Sequence, residues 1–323
     1  MKLTSWFTAF LRDIVNLNQT RLDQLDSRVK AIVAALKADP VLGPLVRGHI
    51  PQGSWAHRTI IKPMDDREFD ADFLLLVDEQ PGWTPADYLE QLYDAFGRHP
   101  TYKAMRIRKT RCVRIVYAND CHVDVVIYLK LADGREVIVN NDLDEWEDTN
   151  PQGFTTWMQA KDDITAGNLR KVIRLLKYLR DHKETFAVKS VILTTLVGGV
   201  VDEGRRLLDL SHYTDVPTTL RSILNDLDDW LQARPILPLI EDPSCPGTDF
   251  NHRWDQAGYA NFRDRIHSYA AKVDAAYLEP DLDVSVTLWQ EIFGGSFIKP
   301  TTPASSGRFG KVVAPAAQTG RAG

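Results

Sequence analysis

The sequence predicts an α+β fold: strands and helices in the first half, helices alone in the second. Three observations carry this. Asp70 to Val77 reads as a strand, with Phe73 to Val77 a continuous apolar run suited to burial on both faces. His122 to Leu129, HVDVVIYL, is a second β-branched run. After residue 150 the apolar residues recur at three- and four-residue spacing in one segment after another.

Taken in order, residues 4 to 38 predict a single long helix, with Trp6, Phe7, Phe10, Leu11 and Ile14, then Leu22, Leu25, Val29, Ile32, Val33 and Leu36, on its apolar stripe. Asp39-Pro40 stops it. The stripe is a packing surface. Gln52 to Val77, QGSWAHRTIIKPMDDREFDADFLLLV, then reads as a turn, a polar excursion and a strand. Gly53-Ser54 supplies a flexible turn with a hydroxyl and free N–H groups, chemistry suited to a phosphate. Asp70 and Asp72 sit two apart, so both carboxylates share one strand face. Their desolvation must be offset, and a divalent cation is the usual means.

Thr84-Pro85 opens a helix through Phe96, with proline early, where its missing N–H costs nothing. Met105 to Tyr117 is a strand pair or one long strand rich in Arg106, Arg108, Lys109, Arg111 and Arg114. Most of these basic residues are read as solvated, with one or two facing a cleft. Asn119-Asp120 turns the chain into the strand holding Asp124. A carboxylate pair plus a third on a neighbouring strand can hold two Mg²⁺ ions roughly 3.5–4 Å apart. The competing reading makes Asp70 and Asp72 strand-end or turn residues; the Gly-Ser upstream and Asp124 downstream favour the metal.

Trp146 to Trp157 reads as a loop leading into a helix start. Asn168 to His182 is a helix whose Leu169, Val172, Ile173, Leu176 and Leu179 are buried, leaving Arg170, Lys171, Arg174 and Lys177 on other faces, most simply solvated. Ser190 is read as the N-cap of the helix SVILTTLV. Helices follow over Pro217 to Leu231, Tyr259 to Ala276 and Ser285 to Phe293, with His252 and His267 as packing or surface residues. The expected division is residues 1–150, 151–297 and a tail, 298–323, too poor in large apolar groups to fold.

At 323 residues the chain can bury a large core, and its 44% apolar and 26% charged content is that of a globular protein. A net charge of −5 argues against a long nucleic-acid partner. Three cysteines, Cys112, Cys121 and Cys245, suit neither a zinc site nor a disulfide framework and point to a reducing cytoplasm. Arg12 and Asp13 break any signal-peptide core, and no apolar run is long enough for a membrane span.

G-S, then h-D-x-D-h, then h-D-h resembles the polymerase-β-like nucleotidyltransferases. The W-x-x-T-N-P-x-x-F-x-x-W stretch from Trp146, the L-L-K-Y around Lys177 and Ser190 thirteen residues on narrow it to the cGAS/DncV-like nucleotidyltransferases of bacterial anti-phage (CBASS) systems. The resemblance implies a nucleotidyltransferase core with an all-helical C-terminal lobe and an active site in the cleft between them. It implies Mg²⁺, with Mn²⁺ as a substitute, on Asp70, Asp72 and Asp124, and a nucleotide held by Gln52, Gly53, Ser54, Lys177 and Ser190. The implied activity is synthesis of a cyclic di- or trinucleotide second messenger from ATP and other NTPs, acting on an effector through the diffusible product. Val191 stands where metazoan members place a base-stacking tyrosine. The family also includes synthases conjugated through their C-terminal residue by an E1–E2-like enzyme, a role that would fall to Gly323. A linear oligonucleotide synthetase, another non-cyclising transferase, or a catalytically silent nucleotide-binding scaffold are the rival readings.

Overall fold

A computed structural model describes residues 1–64, 68–118 and 120–300. The expected single helix over 4–38 is two. α1 (Thr4–Phe10) runs into a π-helical turn, Leu11–Val15, and α2 (Gln19–Lys37) starts afresh. Asn16 turns extended and pairs its backbone with Ile61, and the Asn18 side chain accepts a hydrogen bond from the Arg21 N–H at 2.9 Å, a cap that defines a new helix start. The break lets one amphipathic segment serve two cores. Phe7, Phe10, Leu11 and Val15 pack with the C-terminal helices, whereas Leu25, Val29, Ile32 and Leu36 pack against the sheet.

Among the described residues seven strands build that sheet: β1 (Val46–Gln52), β2 (Phe69–Val77), β3 (Arg106–Arg108), β4 (Val113–Tyr117), β5 (Cys121–Lys130), β6 (Glu136–Asn140) and β7 (Glu145–Asp148). The order is β1-β2-β5-β4-β3, with β6 also pairing with β5, and β7 with β6. Among the described residues only β2 and β5 pair in parallel. α4 (Pro85–Arg98) lies in the crossover between them, opened by a capping box between Thr84 and Asp87 with proline in the first turn. β7 takes residues 145–148, so Trp146 lies on a strand where a loop was expected.

Strand alternation decides which face does what. Phe69, Ala71, Phe73, Leu75 and Val77 of β2, and Cys121, Val123, Val125, Ile127 and Leu129 of β5, are buried in the cluster that includes α2 and α4. Their alternates, Asp70, Asp72, His122 and Asp124, emerge on the opposite face. Leu74, Val126 and Tyr128 continue that face as a small apolar cluster with Cys112.

The helical half comprises α5 (Pro151–Ile164), α6 (Leu169–Lys183), α7 (Ser190–Gly199), α8 (Glu203–Leu208), α9 (Val216–Gln232), α10 (Gln256–Leu278) and α11 (Leu282–Phe293). α6 is its centre, with Leu169, Val172, Ile173, Leu175, Leu176 and Leu179 all buried. α8 was not foreseen; Asp202 caps it, accepting from the Arg205 N–H.

Candidate active site

The sheet register assembles one row of polar residues across four strands. Gln52 of β1 pairs with Asp72 of β2, Asp72 with Asp124 of β5, and Asp124 with Arg114 of β4. Side chains at paired positions share a face, so the row brings together residues far apart in sequence. One rung along, Asp70 pairs with His122. Immediately after Gln52 the chain turns through Gly53, at φ +58°, into the short helix α3 (Gly53–Ala56). A Cβ on Gly53 would stand 3.0 Å from Asp72 Oδ2, so glycine is what lets the turn lie against the carboxylate.

Arg114 dominates the electrostatics of the row. Its Nε and Nη2 donate to the two oxygens of Asp124 at 2.7 and 2.8 Å, and Nη2 lies 3.6 Å from Asp70 Oδ1. The Asp124 hydrogen bonds push the guanidinium pKa up. Asp70 also meets His122 Nδ1 at 3.2 Å, and the other His122 nitrogen pairs with Glu68. Among the described residues Asp72 has no such hydrogen-bonding or ion-pair partner. Burial, then the neighbouring charges of Asp124 and Asp70, push its carboxyl up to about 7.

A carboxylate held against its own charge preference is the setting for a divalent cation, and an all-oxygen donor set suits Mg²⁺. Among the described residues, however, no three His, Cys, Asp or Glu side chains converge as a ligating group. Asp70 is drawn toward Arg114 and His122, leaving Asp72 and Asp124 as the register-paired carboxylates.

The helical half approaches this row through α6, whose cationic face is not solvated as expected. Arg170 Nε donates to the carbonyl of His57 at 3.0 Å, Arg174 Nη1 to that of Arg58 at 3.2 Å, and Lys177 Nζ to that of Thr59 at 3.1 Å. Residues one helical turn apart thus hold three consecutive carbonyls of the loop that leaves α3. The Thr59 N–H returns to the Ser54 carbonyl at 2.8 Å, tying the loop to the Gly-Ser turn. Burial lowers Arg174 to about 10 and Lys177 to about 7, and Lys177 is held up in part by Asp72. His57, stacked on Phe154 at 5.1 Å, is lowered to about 4 by burial and by Lys177 and Arg170, so it is neutral.

Ser190 is not the cap of α7; Lys189 occupies that position without a side-chain cap. One residue inside the helix, the Ser190 hydroxyl accepts from Arg180 Nη1 at 3.2 Å. Beside it lies a cavity of about 950 Å³ lined by Arg180, Phe186, Lys189, His252, Arg253 and Trp254. His252, read as packing or surface, is exposed on the rim of this cavity. Arg106 and Arg108 of β3 turn away, both stacking on the Tyr93 ring. Sequence reasoning placed Arg114 only within a group of five basic residues, one or two of them expected to face a cleft, and did not single out its pairing with Asp124. A hairpin that pairs Tyr117 with Cys121 puts Arg114 opposite Asp124, so that pairing was within reach of register counting. Gly323 lies outside the described residues, and among them no helix is long and apolar enough to cross a membrane.

Residues 1–162 match the family described as the Second Messenger Oligonucleotide or Dinucleotide Synthetase domain. The chain is similar to the cyclic AMP-AMP-AMP synthase of Escherichia coli (strain MS 115-1), at 23% identity over 314 residues covering 89% of this chain and 95% of that protein. It is also similar to the c-di-GMP synthase of Roseivirga ehrenbergii, at 26% identity over 224 residues covering 58% of each. Its fold matches that of E. coli MS115-1 CdnC with ATP, with a TM-score of 0.71 at 21% identity, covering 93% of this chain and 100% of that one.

Proposed function

Because the chain belongs to the Second Messenger Oligonucleotide or Dinucleotide Synthetase family, the cGAS/DncV-like nucleotidyltransferases, we propose that it joins nucleoside triphosphates, ATP among them, into a cyclic di- or trinucleotide second messenger. The observation that carries this reading is the row Gln52–Asp72–Asp124, with the Gly53 turn against Asp72. It gathers two acidic strand residues and a phosphate-type turn on one face at the cleft bordered by α6. Relatives named for AMP and for GMP products leave the bases to be measured.

Asp72 and Asp124, with Asp70 beside them, would hold Mg²⁺ or Mn²⁺. When bound, the metal supplies charge neutralisation for the triphosphate and lowers the pKa of an attacking ribose hydroxyl. The chain's own contribution is positioning. Gln52, Gly53 and Ser54 orient the nucleotide's terminal phosphates from the turn, and Lys177 and Ser190 approach it from the helical lobe. Lys177 near neutrality is poised to take up a proton and become a full cation against a phosphate. The fixed α6 contacts to residues 57–59 keep that turn from having to reorganise during reaction.

Incubation with each combination of the four NTPs and Mg²⁺ or Mn²⁺, followed by mass identification, tests the proposal. A phosphatase-resistant cyclic product is expected. A phosphatase-sensitive linear product would assign the chain to the non-cyclising transferases, and no product with any metal would support a scaffold.

A further inference from the structure

Arg114 stands where a metal-binding carboxylate should be free. Its two-point contact uses both oxygens of Asp124, at 2.7 and 2.8 Å, and the same guanidinium lies 3.6 Å from Asp70. Neither Arg114 nor Asp124 is a surface group; their side chains are 24% and 12% exposed. The contact is set by backbone register, because β4 and β5 pair these two residues directly. A fork-to-fork pair of this kind occupies the oxygens a cation would need.

We propose that Arg114 is a resident counter-charge for Asp124 and Asp70, and that its withdrawal from Asp124 accompanies metal loading. Arg114 is then a positioning residue that competes with the cation. It keeps the carboxylates compensated in the absence of metal, and it raises the metal concentration needed to assemble the site. The inference rests on the reading of Asp72 and Asp124 as metal ligands, and the test separates the two.

Mn²⁺ alone, without nucleotide, is titrated calorimetrically into the full-length wild type and into Arg114→Gln, Arg114→Lys and Asp72→Asn. Arg114→Gln should bind Mn²⁺ about tenfold more tightly than wild type, equivalent to about 1.4 kcal/mol. Arg114→Lys keeps the charge but cannot contact both oxygens, and should fall between them. Asp72→Asn should lose binding. If Asp72→Asn binds Mn²⁺ as wild type does, the metal reading fails and the proposal falls with it. If Asp72→Asn loses binding while Arg114→Gln is unchanged or weaker, the metal reading stands and the proposal is overturned. A second measurement covers poor folding of the Arg114 variants. In wild-type protein labelled with ¹⁵N-arginine, the Arg114 Nε resonance should move on addition of Mg²⁺ with a non-hydrolysable ATP analogue. A resonance that stays in place in the loaded protein would show Arg114 still on Asp124 and refute the proposal.

Discussion

Lys177→Met is expected to make the protein more stable and less able to hold nucleotide. Lys177 is 4% exposed, and its pKa falls from 10.5 to about 7, with burial the largest cause. The folded-state pKa lies below the unfolded one, so between about pH 7 and 10.5 the unfolded chain keeps a proton that the folded chain has given up. Stability therefore rises with pH across that window, and the penalty is fully present below about 7. At roughly 1.36 kcal/mol per pH unit, the ammonium costs about 4 kcal/mol at pH 7 and about 2 kcal/mol at pH 9. Methionine removes this cost but strips the Thr59 carbonyl and hydroxyl of their donor, returning on the order of 1–3 kcal/mol. The net gain at pH 7 is about 1–3 kcal/mol, a few degrees in Tm for a chain of this size. Melting curves of both proteins at pH 7 and pH 9 check this, since the gap between them should narrow by about 2 kcal/mol. Nucleotide affinity should fall about 10- to 100-fold, the value of a charge-assisted contact. A variant that melts lower than wild type at pH 7, with a gap indifferent to pH, would refute the account of Lys177 as a destabilising buried cation.

Asp70→Asn with Asp72→Asn should abolish product formation, as should chelation by EDTA, while circular dichroism stays native-like and melting is not lowered. For Asp72 the folded-state carboxyl is raised, so its charge costs stability as pH rises from about 4 to about 7; Asp72→Asn should be the more stable protein at pH 8 by on the order of 2–4 kcal/mol without metal, measured by denaturant melts. Gly53→Ala should cut turnover at least tenfold, because it forces a side chain into a positive-φ position 3.0 Å from Asp72; its melting temperature should drop by the equivalent of about 1 kcal/mol. Gly198→Ala, remote from the carboxylates, should act on stability alone: its Cβ would lie 2.6 Å from the Trp157 ring where α7 crosses α5, an overpacking cost of about 1–3 kcal/mol read by thermal melting.

The positions of Asp72 and Asp124 were legible because strand alternation is local: a two-residue period fixes which side chains share a face, whatever the strand pairs with. The pairing itself, including the parallel β2–β5 contact, is a tertiary fact, and with it came Arg114. The break after Val15 was illegible for a different reason. The apolar spacing of Trp6 through Ile14 and of Leu22 through Leu36 is equally helical, and only Asn16 and Asn18, whose side chains favour caps and turns over helix interiors, mark the interruption. The α6 cations misled in the opposite direction. A run of Arg and Lys beside a leucine stripe has the pattern of a solvated face, and nothing local reveals that three carbonyls from residues 57–59 await it.

Those carbonyls explain why a cleft should bury cations and carboxylates so close together. Asp72 is pushed up toward neutrality and Lys177 down toward it, each partly relieved by the other's charge. Neither group is in its preferred state, and apolar replacements would be more stable. A metal–nucleotide carries both missing signs at once, a divalent cation for the carboxylates and a polyanion for Lys177. On the proposed function, the stability sacrificed at these residues is recovered only by a ligand presenting the two charges in that order across the cleft. A nucleotide without metal, or metal without nucleotide, satisfies one side and leaves the other. Binding of the two should therefore be mutually reinforcing, each raising the other's affinity by the same factor. The α6 ladder gives that reciprocity its route, since Lys177 and the Gly53 turn are hydrogen-bonded to each other through Thr59 and Ser54.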